Sequence, residues 1–291
     1  MMSDNNGTLI PEYSSKPGRW MRGFSSSLMV PLTHFGPIFG RHRIRPLDNP
    51  ERRESGLVIV LSGIEGEGLI NHNILLGLAD AGLPYALSLF RWTRPIPILS
   101  TFHNLRGLKR NLLQAERLAK LIAEYREKYP GRPVHLVGHS GGGAMSILTL
   151  ERLPDGVNVD SAVLCATALS PSYDLSGALR HVNGKVYNLR STYDWFHLRL
   201  ATTVLGTVDG KHCVSAGAIG FQIPDNATEE TRRLYAERFV EVPFTREMIG
   251  SFHLSGHFGC VNRLFVEEWI APLFKTTTEV TPSPSRSVAL V

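Results

Sequence analysis

Short, mostly apolar runs alternate along the chain with longer stretches in which apolar positions recur every three or four residues. The short runs lie at 57–61, 85–89, 134–137, 162–166 and 185–189, with a weaker one near 238–242. They are rich in β-branched and aliphatic residues on both faces, the pattern of strands buried on both sides. The longer stretches, 70–81, 105–129, 141–153, 229–238 and 261–269, predict helices. Strand and helix in alternation predict an α/β fold: a doubly wound, mostly parallel sheet with helices on both faces. Neither repeat nor linker breaks this span. One domain is therefore expected over residues 45–275, preceded by an arm at 1–44 and followed by a disordered tail at 276–291 that is rich in Thr, Ser and Pro.

At 291 residues, 43% hydrophobic and 20% charged, the chain can bury a large core and is neither a disordered acidic chain nor a coiled coil. No apolar run approaches the roughly 18 residues that a membrane span needs. The first residues carry Asp4 and Glu12 where an export signal is basic and then apolar, so a cytoplasmic protein is expected. Three cysteines, Cys165, Cys213 and Cys260, show no C-x-x-C spacing and are read as plain buried thiols.

The net charge of +5 is concentrated in one stretch. Residues 91–132 hold ten basic and three acidic side chains. Leu105, Leu108, Leu112, Ala115, Ala119 and Ile122 recur there at helical spacing, so the charges line the outer face of an amphipathic helix. The few aromatic residues of this stretch, Trp92, Phe102, Tyr125 and Tyr129, do not interleave with the charges as base stacking would want, which argues against nucleic acid. Peripheral contact with an anionic membrane stays open.

The run Val134-His135-Leu136-Val137 leads into Gly138-His139-Ser140-Gly141-Gly142-Gly143, then into a helical stretch. A nucleophilic serine on a sharp strand-to-helix turn needs neighbours without side chains, and Gly138 and Gly142 supply that room. Three glycines in a helix's first turn cost roughly 1 kcal/mol each against alanine, a cost that structure alone does not explain. A phosphate-cradling loop would end in G-K-[ST], which is absent here.

Through this strand–GHSGG–helix unit, and through the order of acidic residues and histidines downstream of it, the chain resembles the α/β-hydrolase superfamily, its serine esterases and lipases in particular. The resemblance implies a carboxylate after a later strand and a histidine after the last one. Asp194 is the first choice for the acid, with Asp174 and Asp209 as rivals. His257, in Ser255-Gly256-His257-Phe258-Gly259, is the choice for the base, with His253 as its rival. The oxyanion donors implied are the Gly141 N–H and the Ile64 N–H, with Glu65 second, on a loop Ser62-Gly63-Ile64-Glu65-Gly66-Glu67-Gly68 that lacks the His-Gly pattern of many lipases. Glu65 and Glu67 must then point away from the oxyanion.

The expected function is hydrolysis of a carboxylic ester of a small molecule through an acyl-enzyme, with no metal or organic cofactor. A thioesterase or acyltransferase would share the triad, and a non-catalytic binding protein would share the fold. A nicotinamide-dinucleotide reading of Gly63-x-x-Gly66-x-Gly68 with Arg91 has the wrong spacing and leaves the elbow unexplained. A His253/His257 metal pair lacks a third ligand. A base near the ordinary histidine value of about 6.5 would make activity rise across neutrality. Residues 195–239 are expected to contribute a lid or pocket wall.

Overall fold

The computed structural model describes residues 9–35, 40–94, 104–105, 107–194 and 196–275. Its centre is one parallel sheet of β1 (Leu57–Leu61), β2 (Ala86–Phe90), β3 (Val134–His139), β4 (Ser161–Cys165), β5 (Val186–Arg190) and β6 (Phe239–Pro243). The strands lie in the order β2-β1-β3-β4-β5-β6. After β1 the chain adds β2 on one side, then crosses back to place β3 on the other. The loops leaving β1 and β3 therefore part at their carboxyl ends and open a crevice, where an open α/β sheet holds its ligands.

The main helices are α1 (Arg19–Leu28), α2 (Leu69–Asp80), α3 (Leu108–Lys128), α4 (Gly141–Leu150) and α5 (Glu229–Arg238). Leu57, Ile59 and Leu61 of β1 face a core shared with α3, α4 and α5, whereas Val58 and Val60 face one shared with α2 and the C-terminal helical run. Both faces of the sheet are thus covered, as the continuous apolar strands predict.

The differences from expectation have local causes. β3 runs two residues further than expected because Gly138 and His139 still pair with Leu164 and Cys165 of β4. The buried stripe of α3 is Asn111, Ala115, Leu118, Ala119, Ile122 and Tyr125, rotated from the expected one, and Leu108 is 41% exposed. Asn111 turns inward because its amide donates to the Asn104 carbonyl at 2.7 Å. Cys165 and Cys260 are buried, but Cys213 is half-buried. Among the described residues no helix is long and apolar enough to cross a membrane. The tail at 276–291 lies outside the described residues.

The helix expected at 261–269 is instead a broken run: a 3-10 turn at Gly259–Val261, Arg263–Phe265, a π-wound turn at Val266–Ile270, and Pro272–Lys275. Pro272 has no N–H for the Glu268 carbonyl. That carbonyl instead accepts the N–H of Glu12, at 2.9 Å, from the N-terminal arm. The buried Glu268 carboxylate takes a two-point bond from Arg19 (2.6 and 2.7 Å), with Ser14 N–H at 2.9 Å and Ser251 Oγ at 2.6 Å. Arg22 reaches Glu267 at 2.9 Å. The arm is thereby fastened beside the loop that carries His257.

Candidate active site

Ser140 stands between β3 and α4 with φ 54° and ψ −117°, a conformation that only glycine adopts without strain. Backbone bonds hold it there: its N–H donates to the Cys165 carbonyl at 2.8 Å, and its own carbonyl accepts the N–H groups of Gly143 (3.1 Å) and Ala168 (3.2 Å). The room supplied by the glycines is fully used. A Cβ on Gly138 would meet the Gly142 backbone, one on Gly142 the carbonyl oxygens of Leu61 and Ser62, and one on Gly143 the hydroxyl of Thr167.

Asp194 and His257, 63 residues apart, meet in space. The Nδ1–H of His257 donates to Asp194 Oδ2 at 2.5 Å. Asp194 lies in the loop that leaves β5, and His257 in the loop that follows β6. Ser140 and His257 face one cavity of about 220 Å³, together with Ile64, Thr33, His197 and Phe258 and the apolar side chains of Leu105, Ala168, Leu198, Ala201 and Leu205. Residues 196–205 form one wall of it, as expected for the start of the segment between Asp194 and His257. Burial pushes the His257 imidazole down to about 4 against the pull of Asp194, and the neighbouring His139 and His197 push the same way as burial. This replaces the ordinary value expected from sequence. Burial would raise the Asp194 carboxyl, but His197 and His257 outweigh it and hold it well below the usual carboxylate range.

The loop after β1 lies against the elbow. A Cβ on Gly141 would sit 3.4 Å from the backbone nitrogen of Ile64, so these two expected donors are neighbours at the start of α4, where the first N–H groups have no helical acceptor. The Trp92 indole donates to the Ser62 carbonyl at 2.8 Å, and Asn104 to the Ile64 carbonyl at 2.9 Å; both pin the loop. Glu67 turns away to Arg41 (2.7 Å), Arg91 (2.6 Å) and His72 (3.2 Å). Glu65 folds back to accept the Gly63 N–H at 3.2 Å, its carboxylate 3.7 Å from His139 Nδ1.

Two histidines flank the base, one expected only as part of the elbow motif and the other given no role by the sequence. His139, within the elbow motif itself, donates from Nε2 to the His257 carbonyl at 3.1 Å, its ring 4.8 Å from that of His257. Burial works against a charge on His139, but Glu65 raises it above the ordinary histidine value, and His139 in return keeps the Glu65 carboxyl low. His197 lies on the other side, its ring stacked on His257 at 4.4 Å and 15°. Its Nδ1 is 3.5 Å from Asp194 Oδ1. Asp194, His197 and His257 bring three ligand atoms within 4.8 Å of one another. A metal ion binds in the plane of an imidazole, however, and two nearly parallel rings 4.4 Å apart have no common plane, so the set does not fit one ion without a ring swinging out.

The rivals are placed elsewhere. Asp174 caps the turn at Ser176 (2.9 Å), and Asp209 binds the N–H and hydroxyl of Ser170 (3.0 and 2.6 Å). His253 is buried against Phe244 and Phe265. The N-terminus of α2, where a dinucleotide's pyrophosphate would rest, is closed by protein: Thr33 Oγ1 accepts the Ile70 N–H at 3.4 Å, and Asn71 Oδ1 the Gly68 N–H at 2.8 Å.

A family model of serine aminopeptidases, S33, matches residues 115–205, which include the elbow and Asp194. No curated protein matches the sequence. Solved structures similar to this chain include esterase PE8 (14% identity, 77% of this chain and 93% of that one, TM-score 0.46) and Aspergillus fumigatus lipase B (14% identity, 75% and 52%, TM-score 0.43). The type II thioesterase BorB from the borrelidin biosynthetic cluster is also similar (14% identity, 79% and 94%, TM-score 0.34). The parallel sheet in the order β2-β1-β3-β4-β5-β6 and the serine elbow between β3 and α4 give the chain an α/β-hydrolase fold, and the matched family model runs across that elbow.

Proposed function

We propose that the protein is a serine hydrolase of carboxylic esters, acting through an acyl-enzyme. The observation that carries this reading is the 2.5 Å bond from His257 to Asp194 beside a strained Ser140, with serine and histidine on one cavity. Ser140 Oγ attacks the acyl carbon while its proton passes to His257 Nε2. Asp194 accepts from Nδ1, fixing the tautomer and stabilising the imidazolium that forms. The N–H groups of Gly141 and Ile64 bind the oxyanion, each worth on the order of 10²–10³ in rate. The imidazolium returns its proton to the departing alcohol, and water then cleaves the acyl-enzyme with His257 again as base.

A cavity of about 220 Å³ with apolar walls suits a short to medium acyl group. Action at a lipid surface is a second reading, favoured by the exposed Phe196, Leu200 and Val204 on the outer side of the cavity wall and by exposed Leu254 in the His257 loop. Rates on emulsified long-chain esters against soluble short-chain ones separate the two.

A fluorophosphonate probe should label the protein once, at Ser140, and labelling should vanish in Ser140→Ala and fall by about 10³-fold or more in His257→Ala. An unlabelled wild-type protein would overturn the assignment. Because burial holds His257 neutral down to about pH 4, the base is in its working form throughout the neutral range.

A further inference from the structure

We propose that α1 is a lipid-docking helix, whose exposed apolar face seats the protein on the surface of an anionic phospholipid bilayer. The inference goes beyond the hydrolase reading and does not depend on it. Trp20, Met21, Phe24 and Leu28 are 62, 72, 49 and 60% exposed, and at 3.6 residues per turn they share an arc of about 100° of the helix. The helix is amphipathic with its apolar face outward. A helix on the surface of a water-soluble domain lays that face on the core instead.

The polar face is what fastens α1 to the protein. Asn262 donates to the Gly23 carbonyl at 2.9 Å and to Ser27 Oγ at 3.0 Å, and the Arg263 N–H donates to Ser26 Oγ at 3.0 Å. Arg19 and Arg22 reach back to Glu268 and Glu267. A Cβ on Gly23 would meet the ring of Phe252, so the helix lies as close as glycine permits. The apolar face cannot roll inward without breaking these bonds.

That face is contiguous. Trp20 stacks on Phe24 (5.2 Å, 8°) and meets Phe252 edge-on at 5.6 Å. Phe252 in turn lines a cavity of about 350 Å³ with Val30, Pro31, Leu254, Phe258 and His257. His257 and Phe258 also line the Ser140 cavity, so the docking face adjoins that site. An indole and a phenyl ring beside aliphatic side chains suit the boundary between headgroups and acyl chains, where an amphipathic helix lies in the bilayer plane.

Charge favours an anionic bilayer over a second copy of the chain as the occupant. Arg19, Arg22 and Arg41 are paired with Glu268, Glu267 and Glu67, but Lys16, Arg43 and Arg45 of the same arm are exposed. Anionic headgroups attract these cations. A two-fold dimer through the arm would set the same positive charge against itself.

The test uses the full-length Ser140→Ala protein, which cannot cleave lipid through Ser140, sedimented with vesicles of phosphatidylcholine and phosphatidylglycerol in equal parts or of phosphatidylcholine alone. It should bind the mixed vesicles, and the neutral ones more weakly. Adding Trp20→Ser with Phe24→Ser should lower partitioning into mixed vesicles by about tenfold or more. Adding Met21→Ser with Leu28→Ser, a pair whose side chains are more exposed still on average, should lower it in the same direction. Because all four side chains face solvent, the unfolding temperature should stay that of the parent. In Trp20→Phe, which keeps the face apolar, binding should persist while quenching of tryptophan fluorescence by brominated acyl chains falls. No binding by the parent, or binding equal in the parent and both pairs, would overturn the proposal. So would a lipid-free dimer that Trp20→Ser with Phe24→Ser dissolves, since a second copy would then cover the face.

Discussion

At Ser140 the backbone stores a cost that only the surrounding bonds justify. A residue with φ 54° and ψ −117° is strained by about 1–3 kcal/mol unless it is glycine. Ser140→Gly should therefore raise stability in urea by about 1 kcal/mol, after the entropy that glycine itself loses on folding, while Ser140→Ala should not. An equal effect of the two substitutions would mean that the elbow backbone is not strained. Gly142 is the opposite case: its Cβ position is already filled by the carbonyl oxygens of Leu61 and Ser62. These belong to β1 and the loop after it and cannot yield as a side chain would. Gly142→Ala should cost about 1–3 kcal/mol in unfolding free energy, and activity should fall with it because Ile64 shares that loop. The sequence motif already announces both glycines, since crowding at a strand-to-helix elbow is local.

The N-terminal arm depends on two carboxylates that no local rule would place in a core. Glu267 and Glu268 are buried, one bonded to Arg22 and the other to Arg19, Ser14 and Ser251. Glu268→Ala would leave the Ser251 hydroxyl without its acceptor and the Arg19 guanidinium with only the Gly250 carbonyl. The variant should lose about 3–5 kcal/mol of stability, the usual cost of breaking a buried pair. Trypsin should then cut first at Arg19 or Arg22, which the native arm protects. If the arm stayed protected in the variant, this clamp would not be what holds it. Read from periodicity, the same region is a single helix over 261–269, because apolar spacing does not register the N–H that Pro272 lacks, and the arm's Glu12 acts on the Glu268 carbonyl from outside any helical window. For the same reason α5, whose Thr228 cap accepts from Thr231 within the segment at 3.1 Å, is legible to the residue, whereas the stripe of α3 is rotated by the contact of Asn111 with Asn104.

Across the whole molecule, buried histidines tie stability to pH. Burial lowers His135 and His253 to about 4 in the folded state, against about 6.5 in the unfolded chain. Between those values the unfolded chain binds the extra protons, so stability is full above about pH 6.5 and is lost as pH falls. At pH 5 each histidine should cost about 2 kcal/mol relative to neutral pH. His139, raised by Glu65, acts in the opposite sense. Unfolding midpoints should fall from pH 7 to pH 5, with a shallower slope in His135→Leu; a slope unchanged in that variant would contradict the assignment. What the sequence determined by itself is the layered fold and the elbow that announces itself locally: apolar runs set the strands and the glycines set the elbow, while chain order offers Asp194 and His257 only as first choices among rivals. What only the tertiary structure decided is which neighbours those residues acquire: His197 against His257, Glu65 against His139, and the arm against Glu267 and Glu268. Such contacts join positions tens to hundreds of residues apart, and their energies depend on distance and burial, which no periodicity along the chain encodes.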